Sequence, residues 1–290
     1  MSEATRIVLN EAPGTLSQYS RALFAKGTKT KNPQLPKTEI ILSGVKADPA
    51  KVAKYSEVCG FNQKSTALPL TFPHIMAFPL HIELMLQKDF PLALMGLVHI
   101  RNEIIQHRPI NIQESMDIRC YFTEGRMTDK GFEIDIKSDV TINGELVWED
   151  ISTNLARMKT DVPAPAKSKE KKTLPSHPFK EAWTLVSDLG RRYAGVSGDS
   201  NPIHLHPLSA KLFGFKRHIA HGMWTKARSI ATLQSQLGSD ACRVVVDFKL
   251  PVFLPAAIEL HYDKQDGKIE FDVRDSAGEK PHLAGEISKI

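Results

Sequence analysis

A pattern of residues occurs twice in this chain, and the repetition limits the architectures that it can adopt. Residues 55–60, YSEVCG, match residues 193–198, YAGVSG, at an offset of 193 − 55 = 138 positions. Residues 132–136, FEIDI, match residues 269–273, IEFDV, at an offset of 269 − 132 = 137 positions. Weaker pairs follow in the same order, namely 98–105 with 244–251 and 116–121 with 258–263. We therefore predict two similar units that arose by duplication.

Each half of the repeat has the same order of predicted elements. A long helix is predicted over residues 75–90 in the first half and 221–237 in the second, and three or four strands follow each helix. Residues 132–140 and 269–275 place an apolar side chain at every second position, as a half-buried strand requires. A helix wrapped by such strands is a hotdog unit, and two units can join their sheets edge to edge. We predict an α+β double hotdog, while a generic pair of α+β domains stays open.

A proline- and lysine-rich segment separates the two halves. Residues 160–178, TDVPAPAKSKEKKTLPSHP, hold four prolines and four lysines with almost nothing apolar, so they cannot form a core. We predict a linker at 160–178, an N-terminal hotdog at 1–159 and a C-terminal hotdog at 179–290.

The composition is that of an ordinary folded protein. Apolar residues make up 41% of the chain and charged residues 24%, which excludes the disordered and collagen-like classes. The net charge of +5 is spread along the sequence without a recognition motif, so we predict no nucleic-acid partner. No run of about 18 apolar residues occurs, so we predict no membrane partner.

The cysteines and the chain ends bear on the compartment. Cys59, Cys120 and Cys242 are an odd number at wide spacing, which excludes a disulfide framework and favours a reducing compartment. The first residues show no secretory signal. We predict a cytoplasmic location, with the peroxisome as an alternative because Ser288-Lys289-Ile290 is a loose relative of the SKL address.

One carboxylate and one imidazole lie among small and turn-forming residues in the segment 196–207, VSGDSNPIHLHP. Asp199 and His204 are five positions apart across a turn that Pro202 can open, so they can face one point. A carboxylate and an imidazole that hold one water molecule form an acid–base pair. From spacing alone, Asp199 can equally belong to an Asx turn and His204 can equally pair with a backbone carbonyl.

Gly222 stands at the start of the second predicted helix, in the segment 221–225, HGMWT. A glycine at this position lets backbone N–H groups approach a ligand, and the helix dipole favours negative charge there. We predict that the Gly222 N–H donates to an oxyanion. A zinc site is disfavoured, because the neighbouring histidines lack a carboxylate or cysteine at ligand spacing. These histidines are His204, His206, His218 and His221.

Three separated segments carry a resemblance to a known family. Residues 193–204, YAGVSGDSNPIH, 218–230, HIAHGMWTKARSI, and 247–255, DFKLPVFLP, resemble the MaoC-like or hydratase 2 family in order and spacing. That family comprises (R)-specific enoyl-thioester hydratases and 3-hydroxyacyl-thioester dehydratases. The match is strong over about 185–260 and loose in the N-terminal half, which implies the two-hotdog subgroup with a degenerate first unit.

The resemblance also implies an activity. It is the reversible hydration of trans-2-enoyl thioesters to (R)-3-hydroxyacyl thioesters in fatty acid metabolism, with no metal or redox cofactor. Asp199 and His204 fall on the catalytic pair, and Gly222 falls on the oxyanion glycine. The expected substrate is an acyl-CoA or an acyl-carrier-protein thioester, bound by a monomer or a homodimer of double hotdogs.

The first half lacks the functional groups at the matching positions. Phe61 stands near the position of Asp199, and Phe78 stands near that of Gly222. We therefore predict that this half is not catalytic and that it lines an acyl-chain tunnel. The residues assigned to substrate binding are Phe61, Phe72, Met76 and Phe78 in the first half and Asn201 in the second.

Two other functions stay open for the same fold. A hotdog thioesterase would hydrolyse the thioester with a carboxylate and the same helix start. A non-catalytic acyl-thioester-binding module would use both halves for recognition. The joint presence of Asp199, His204 and Gly222 in one half favours the hydratase over both.

Overall fold

Eleven strands and seven helices occur in the described part of the chain, residues 5–25, 27, 30–166 and 173–290 of a computed structural model. The elements of the first half are β1 Thr5–Leu9, α1 Thr15–Phe24, β2 Thr38–Val45, α2 Pro49–Cys59, α3 Phe72–Met85, β3 Val98–Gln106, β4 Met116–Thr128, β5 Gly131–Ile142 and β6 Glu145–Arg157. Those of the second half are β7 Phe179–Leu185, α4 Leu189–Ser197, α5 Pro202–Leu205, α6 Pro207–Leu212, α7 Gly222–Leu237, β8 Cys242–Phe248, β9 Ala256–Gln265, β10 Lys268–Asp275 and β11 Pro281–Lys289.

All the strands form one sheet in the order β1-β2-β4-β5-β6-β3-β8-β11-β10-β9-β7. The five strands β2 to β6 and the five strands β7 to β11 follow the same internal order, so each half is built on one plan. The halves meet where β3 pairs antiparallel with β8, in a register that sets Ile104 opposite Val244. The predicted double hotdog with sheets joined edge to edge is confirmed. Strand β1 extends the first half by pairing in parallel with β2.

The strongest anchors of the repeat occupy equivalent places. Tyr55 lies in α2 and Tyr193 in α4, and their ring centroids are 6.1 Å apart in the core. Both helices end at a glycine with a positive φ, which is 81° at Gly60 and 80° at Gly198. Only a residue without a Cβ adopts this left-handed conformation at low cost, which explains why both copies of the motif end in glycine.

The two long helices were predicted with different accuracy. Helix α7 spans Gly222–Leu237, as predicted except that His221 is its N-cap. Helix α3 spans Phe72–Met85 and not 75–90, so the prediction was displaced toward the C-terminus. Proline is well accepted in a first helical turn, which allows α3 to begin before Ile75. Residues 86–89 form turns and a bend, and Pro91 disfavours helical backbone at the residue before it.

The predicted linker lies between β6, which ends at Arg157, and β7, which begins at Phe179. Its residues 160–166 and 173–178 contain no helix or strand, and its residues 167–172 lie outside the described ranges. The unit boundaries themselves stay a prediction. Within the described ranges, no helix is both long and apolar enough to cross a bilayer.

Candidate active site

A cavity of about 720 Å³ is lined by residues from both halves. The second half contributes the loop after α4, the start of α7 and the segment 248–252. The first half contributes one face of α3 and the segment 94–99. Asp199, His204 and Gly222, which sequence analysis placed in one site, all line this cavity.

The Asp199 carboxylate opens onto the cavity, with 27% of its side chain exposed. The chain reaches this position through the left-handed turn at Gly198 that ends α4. The Tyr19 hydroxyl donates a hydrogen bond to Asp199 Oδ1 at 2.6 Å, and the Asn201 N–H donates to the same oxygen at 3.2 Å. The carboxylate is therefore held by two donors on one oxygen, while Oδ2 remains 3.8 Å from His221 Nε2.

These surroundings keep Asp199 ionised. Burial raises the pKa of its carboxyl, but His221, His204 and the hydrogen bonds from Tyr19 and Asn201 outweigh burial and hold the pKa below its ordinary value. At neutral pH the side chain is thus an anion that accepts hydrogen bonds.

His204 is fixed in one tautomer by its surroundings. It lies in the short helix α5, and its Nδ1 is 2.8 Å from the Ile219 carbonyl oxygen. Because a carbonyl only accepts, Nδ1 carries the proton and donates. Burial lowers the pKa of His204, although Asp199 and the Ile219 carbonyl oppose the shift. The ring is therefore neutral at pH 7, and its Nε2 offers a lone pair to the cavity.

The position of α5 depends on a glycine in α4. A Cβ on Gly190 would lie 1.9 Å from the carbonyl oxygen of His204, which is far inside contact distance. The Asn201 side chain caps α5 by accepting from the Ile203 N–H at 3.3 Å. The distance between α4 and α5, and with it the place of His204, is thus set by these local contacts.

His221 contacts both Asp199 and His204. Its ring stacks on His204 with centroids 3.7 Å apart, and its Nε2 donates to the Asp199 carbonyl oxygen at 3.0 Å. Burial, followed by the nearby His204, lowers the pKa of His221 to about 3, so it is neutral. It holds the backbone of the Asp199 loop through this hydrogen bond.

Gly222 begins α7 with an N–H that the helix itself leaves free. The two carbonyl oxygens one turn before Gly222 already accept hydrogen bonds from other groups. His218 O accepts from the Leu254 N–H, and Ile219 O accepts from His204 Nδ1. A Cβ on Gly222 would lie 2.8 Å from Cδ1 of Phe248, so the close approach of this ring requires glycine. The backbone at the start of α7 can thus donate to an anion in the cavity.

Three of these side chains could also surround a metal ion. Asp199, His204 and His221 each offer a ligand atom, and these atoms lie within 4.8 Å of one another. One nitrogen of each imidazole already hydrogen-bonds to a backbone carbonyl, at Ile219 and Asp199 respectively. The absence of a metal cofactor stays a prediction.

Comparison with known proteins identifies the relatives of this chain. The model of the MaoC like domain matches residues 168–285. The 3-hydroxyacyl-thioester dehydratase X of Mycobacterium tuberculosis is 34% identical over 254 residues, which cover 88% of this chain and 90% of that protein. The chain belongs to the MaoC-like family.

Solved structures of MaoC-like proteins share the fold. The crystal structure of HtdX of Mycobacterium tuberculosis gives a TM-score of 0.76 at 32% identity, covering 87% of this chain and 100% of that one. A MaoC-like dehydratase from Phytophthora capsici gives 0.72 at 17% identity, over 87% of this chain and 95% of that one. The (R)-specific enoyl-CoA hydratase of Aeromonas caviae is 40% identical over 65 residues, which cover 21% of this chain and 48% of that protein.

Only part of the predicted substrate-binding set of this MaoC-like chain lines the cavity. Asn201 and Phe78 do so. Phe61 and Phe72 pack around Tyr55 at centroid distances of 6.2 and 5.3 Å, and Met76 packs against the same core. Apolar residues are distributed around helix α3, so its sequence did not show which face would meet the cavity. Phe61, Phe72 and Met76 are thus not among the residues that line the cavity, and their role in binding the acyl chain stays a prediction.

Tyr19 is a site residue of the MaoC-like chain that sequence analysis missed. It lies in α1, in the first half, and reaches Asp199 in the second. Helix α1 is held on α3 because Arg21 and Gln18 both hydrogen-bond to the Glu83 carboxylate. The only signal in the sequence was an amphipathic segment near the N-terminus, which says nothing about the direction of one hydroxyl.

Proposed function

We propose that this protein catalyses the reversible hydration of trans-2-enoyl thioesters to (R)-3-hydroxyacyl thioesters in fatty acid metabolism. The names of its relatives, a 3-hydroxyacyl-thioester dehydratase and an (R)-specific enoyl-CoA hydratase, support this reaction class. The observation that carries the proposal is the tautomer of His204. Its Nδ1–H is bound to the Ile219 carbonyl, so a neutral Nε2 faces the cavity beside an ionised Asp199.

In the proposed mechanism, one water molecule lies between Asp199 and His204 Nε2. The carboxylate accepts one of its hydrogens and orients it, and Nε2 takes the other proton as the water oxygen bonds to C3. The electron pair of the C2=C3 bond moves toward the thioester oxygen, which the Gly222 N–H stabilises. The imidazolium then returns its proton to C2 on the same face, which gives syn addition and restores neutral His204.

The electrostatics of the site support this order of events. His204 is neutral before the reaction, as a base must be, and the Asp199 anion nearby stabilises the imidazolium once it forms. A thioesterase would need the water to reach C1 instead of C3.

The test is turnover of crotonyl-CoA and of longer trans-2-enoyl-CoA substrates. We expect loss of the absorbance of the conjugated thioester without release of free thiol, and a product of R configuration by chiral chromatography. Thiol release at the same rate would identify a thioesterase, binding without turnover would identify a binding module, and an S product would contradict the proposed geometry. A matched assay with enoyl-carrier-protein substrates decides between the two carriers.

The role proposed for Tyr19 is to position Asp199 and to stabilise its anion. In Tyr19→Phe the carboxylate loses a charge-assisted hydrogen bond, so we expect kcat to fall about tenfold with little change in KM. The pKa of the Asp199 carboxyl should rise, because the lost donor favoured the charged form, and NMR titration of ¹³C-labelled aspartate measures this directly. Ser20→Ala, at an exposed position of the same helix, is the control. An unchanged carboxyl titration in Tyr19→Phe would show that Tyr19 only packs.

We propose a cytoplasmic location and a monomer or homodimer. The reducing compartment is supported by Cys59, Cys120 and Cys242, which are all free and buried. The peroxisomal alternative rests on residues 288–290, of which Ser288 and Lys289 lie in β11 and pair with β8.

A further inference from the structure

The part of the cavity that lies in the first half has a polar wall. The ring of Phe248, which contacts Gly222, has its centroid 5.0 Å from that of His99, so the wall begins one aromatic ring away from the start of α7. We call this part of the cavity the polar chamber, and its uncharged polar lining side chains are His74, His81, His99, Ser152 and Asn154, while Arg157 lines the cavity from an exposed position at the end of β6.

A buried hydrogen-bond network holds the chamber in place. The Asp150 carboxylate accepts from His74 Nδ1 at 2.9 Å, from Ser152 Oγ at 3.2 Å and from the Asn102 amide. The Asn102 side-chain oxygen in turn accepts from the Lys226 ammonium group, which belongs to α7. The charged groups of this network, Asp150 and Lys226, are buried and hydrogen-bonded within it, so they hold the wall in place.

One nitrogen in the chamber has no partner. His99 Nε2 is buried, and no atom of the described residues hydrogen-bonds to it. A buried polar atom without a partner costs free energy, and a polar group of a bound substrate that meets the His99 ring from the cavity would remove this cost. Burial, with smaller contributions from His74, lowers the pKa of His99 to about 3, and burial lowers that of His81 to about 4. Both rings are neutral at pH 7 and suit an uncharged partner.

Apolar side chains lie beside the α3 histidines of the chamber on the same helix. Phe78, Ile82 and Met85 recur at helical spacing on the face of α3 that lines the cavity. Methylene groups of an acyl chain can lie against these side chains while a polar group of the same chain meets His99. A plain alkyl chain would cover the apolar side chains but would leave His99 Nε2 unpaired.

We propose that the polar chamber binds an uncharged oxygen, a hydroxyl or keto group, carried by the acyl chain beyond C3. The preferred substrates are then oxygenated enoyl thioesters and not those with a simple alkyl tail. This inference rests on the proposed function, because it assigns the substrate class of the same site.

The test compares trans-2-octenoyl-CoA with analogues that carry one hydroxyl group at C5, C6, C7 or C8, or one keto group at C5, C6 or C7. For the wild-type protein we expect at least one analogue to exceed octenoyl-CoA in kcat/KM by about tenfold, the value of one well-placed hydrogen bond. If octenoyl-CoA is hydrated faster than every analogue, the inference is overturned while the hydratase proposal stands. If none of the substrates is hydrated, the proposed function itself fails.

A variant shows whether the chamber causes the preference. In His99→Phe the ratio of kcat/KM between the best analogue and octenoyl-CoA should fall to about one, because the ring keeps its apolar contacts and loses its nitrogens. His107→Phe, just beyond the end of β3 and outside the cavity, is the matched control and should keep the wild-type ratio. An unchanged ratio in His99→Phe would mean that the chamber holds only water. Should this variant not fold, the wild-type series alone decides.

Discussion

Replacement of Asp199 by Asn, or of His204 by Gln, is expected to lower kcat for enoyl-CoA hydration by at least about a hundredfold. Asn keeps the size of Asp199 and can still accept from Tyr19, but it carries no charge to orient water or to stabilise an imidazolium. Gln removes the nitrogen lone pair of His204 that takes the proton. Because neither change alters side-chain volume greatly, the thermal unfolding midpoints should stay near that of the unchanged protein.

The measurement is the initial rate of loss of enoyl absorbance at saturating substrate. Asp188→Asn, at the N-cap of α4 where the side chain makes no capping hydrogen bond, is the control for the first variant. His206→Gln, two residues beyond His204 and exposed, is the control for the second. If either active-site variant retains activity within a few-fold of the original, the acid–base assignment is wrong.

Gly190→Ala is expected to damage both stability and activity. Its Cβ would lie 1.9 Å from the His204 carbonyl oxygen, so α4 and α5 must move apart. Overpacking of this kind costs about 1–3 kcal/mol of unfolding free energy. The same movement displaces His204, and a shift of about 1 Å in a reacting group can lower the rate about a hundredfold. Urea unfolding and kcat measure the two effects separately.

The same helix offers a matched control for this change. Gly195 also lies in α4, but a Cβ there would meet nothing within 4 Å. Gly195→Ala should therefore keep full activity and gain up to about 1 kcal/mol of stability, since alanine favours helix over glycine. Equal behaviour of the two variants would show that space at Gly190 does not determine the position of His204.

The catalytic candidates and the strands could be predicted from the sequence because they depend on residues that are close together in it. Asp199, His204 and Gly222 lie within short segments whose turn and helix-start residues already predict their geometry. The alternation in residues 132–140 and 269–275 likewise predicted β5 and β10. These features depend on neighbours in the sequence, so they could be inferred without knowledge of the tertiary structure.

Contacts between residues that are far apart in the sequence could not be predicted in this way. Tyr19 and Asp199 are 180 positions apart, and nothing in the sequence of α1 connects them. The counterpart of Gly222 was expected near Phe78, whereas the start of α3 places Phe72 in that role. His74 and His81 were not singled out by sequence analysis, and both are buried and line the cavity. Each of these errors concerns which way a side chain points, which depends on packing between elements.

The antiparallel pairing of β3 with β8 joins two separately encoded halves around one cavity, so substitutions can alter one half of the site without the other. In a symmetric dimer of identical units, every substitution would alter both copies of the helix at once. Here α3 and α7 occupy equivalent places in one continuous sheet but are encoded separately. Histidines can therefore accumulate on α3 and β3 without a change in the glycine that starts α7. Recognition of the acyl chain and the chemistry can thus evolve independently around one cavity.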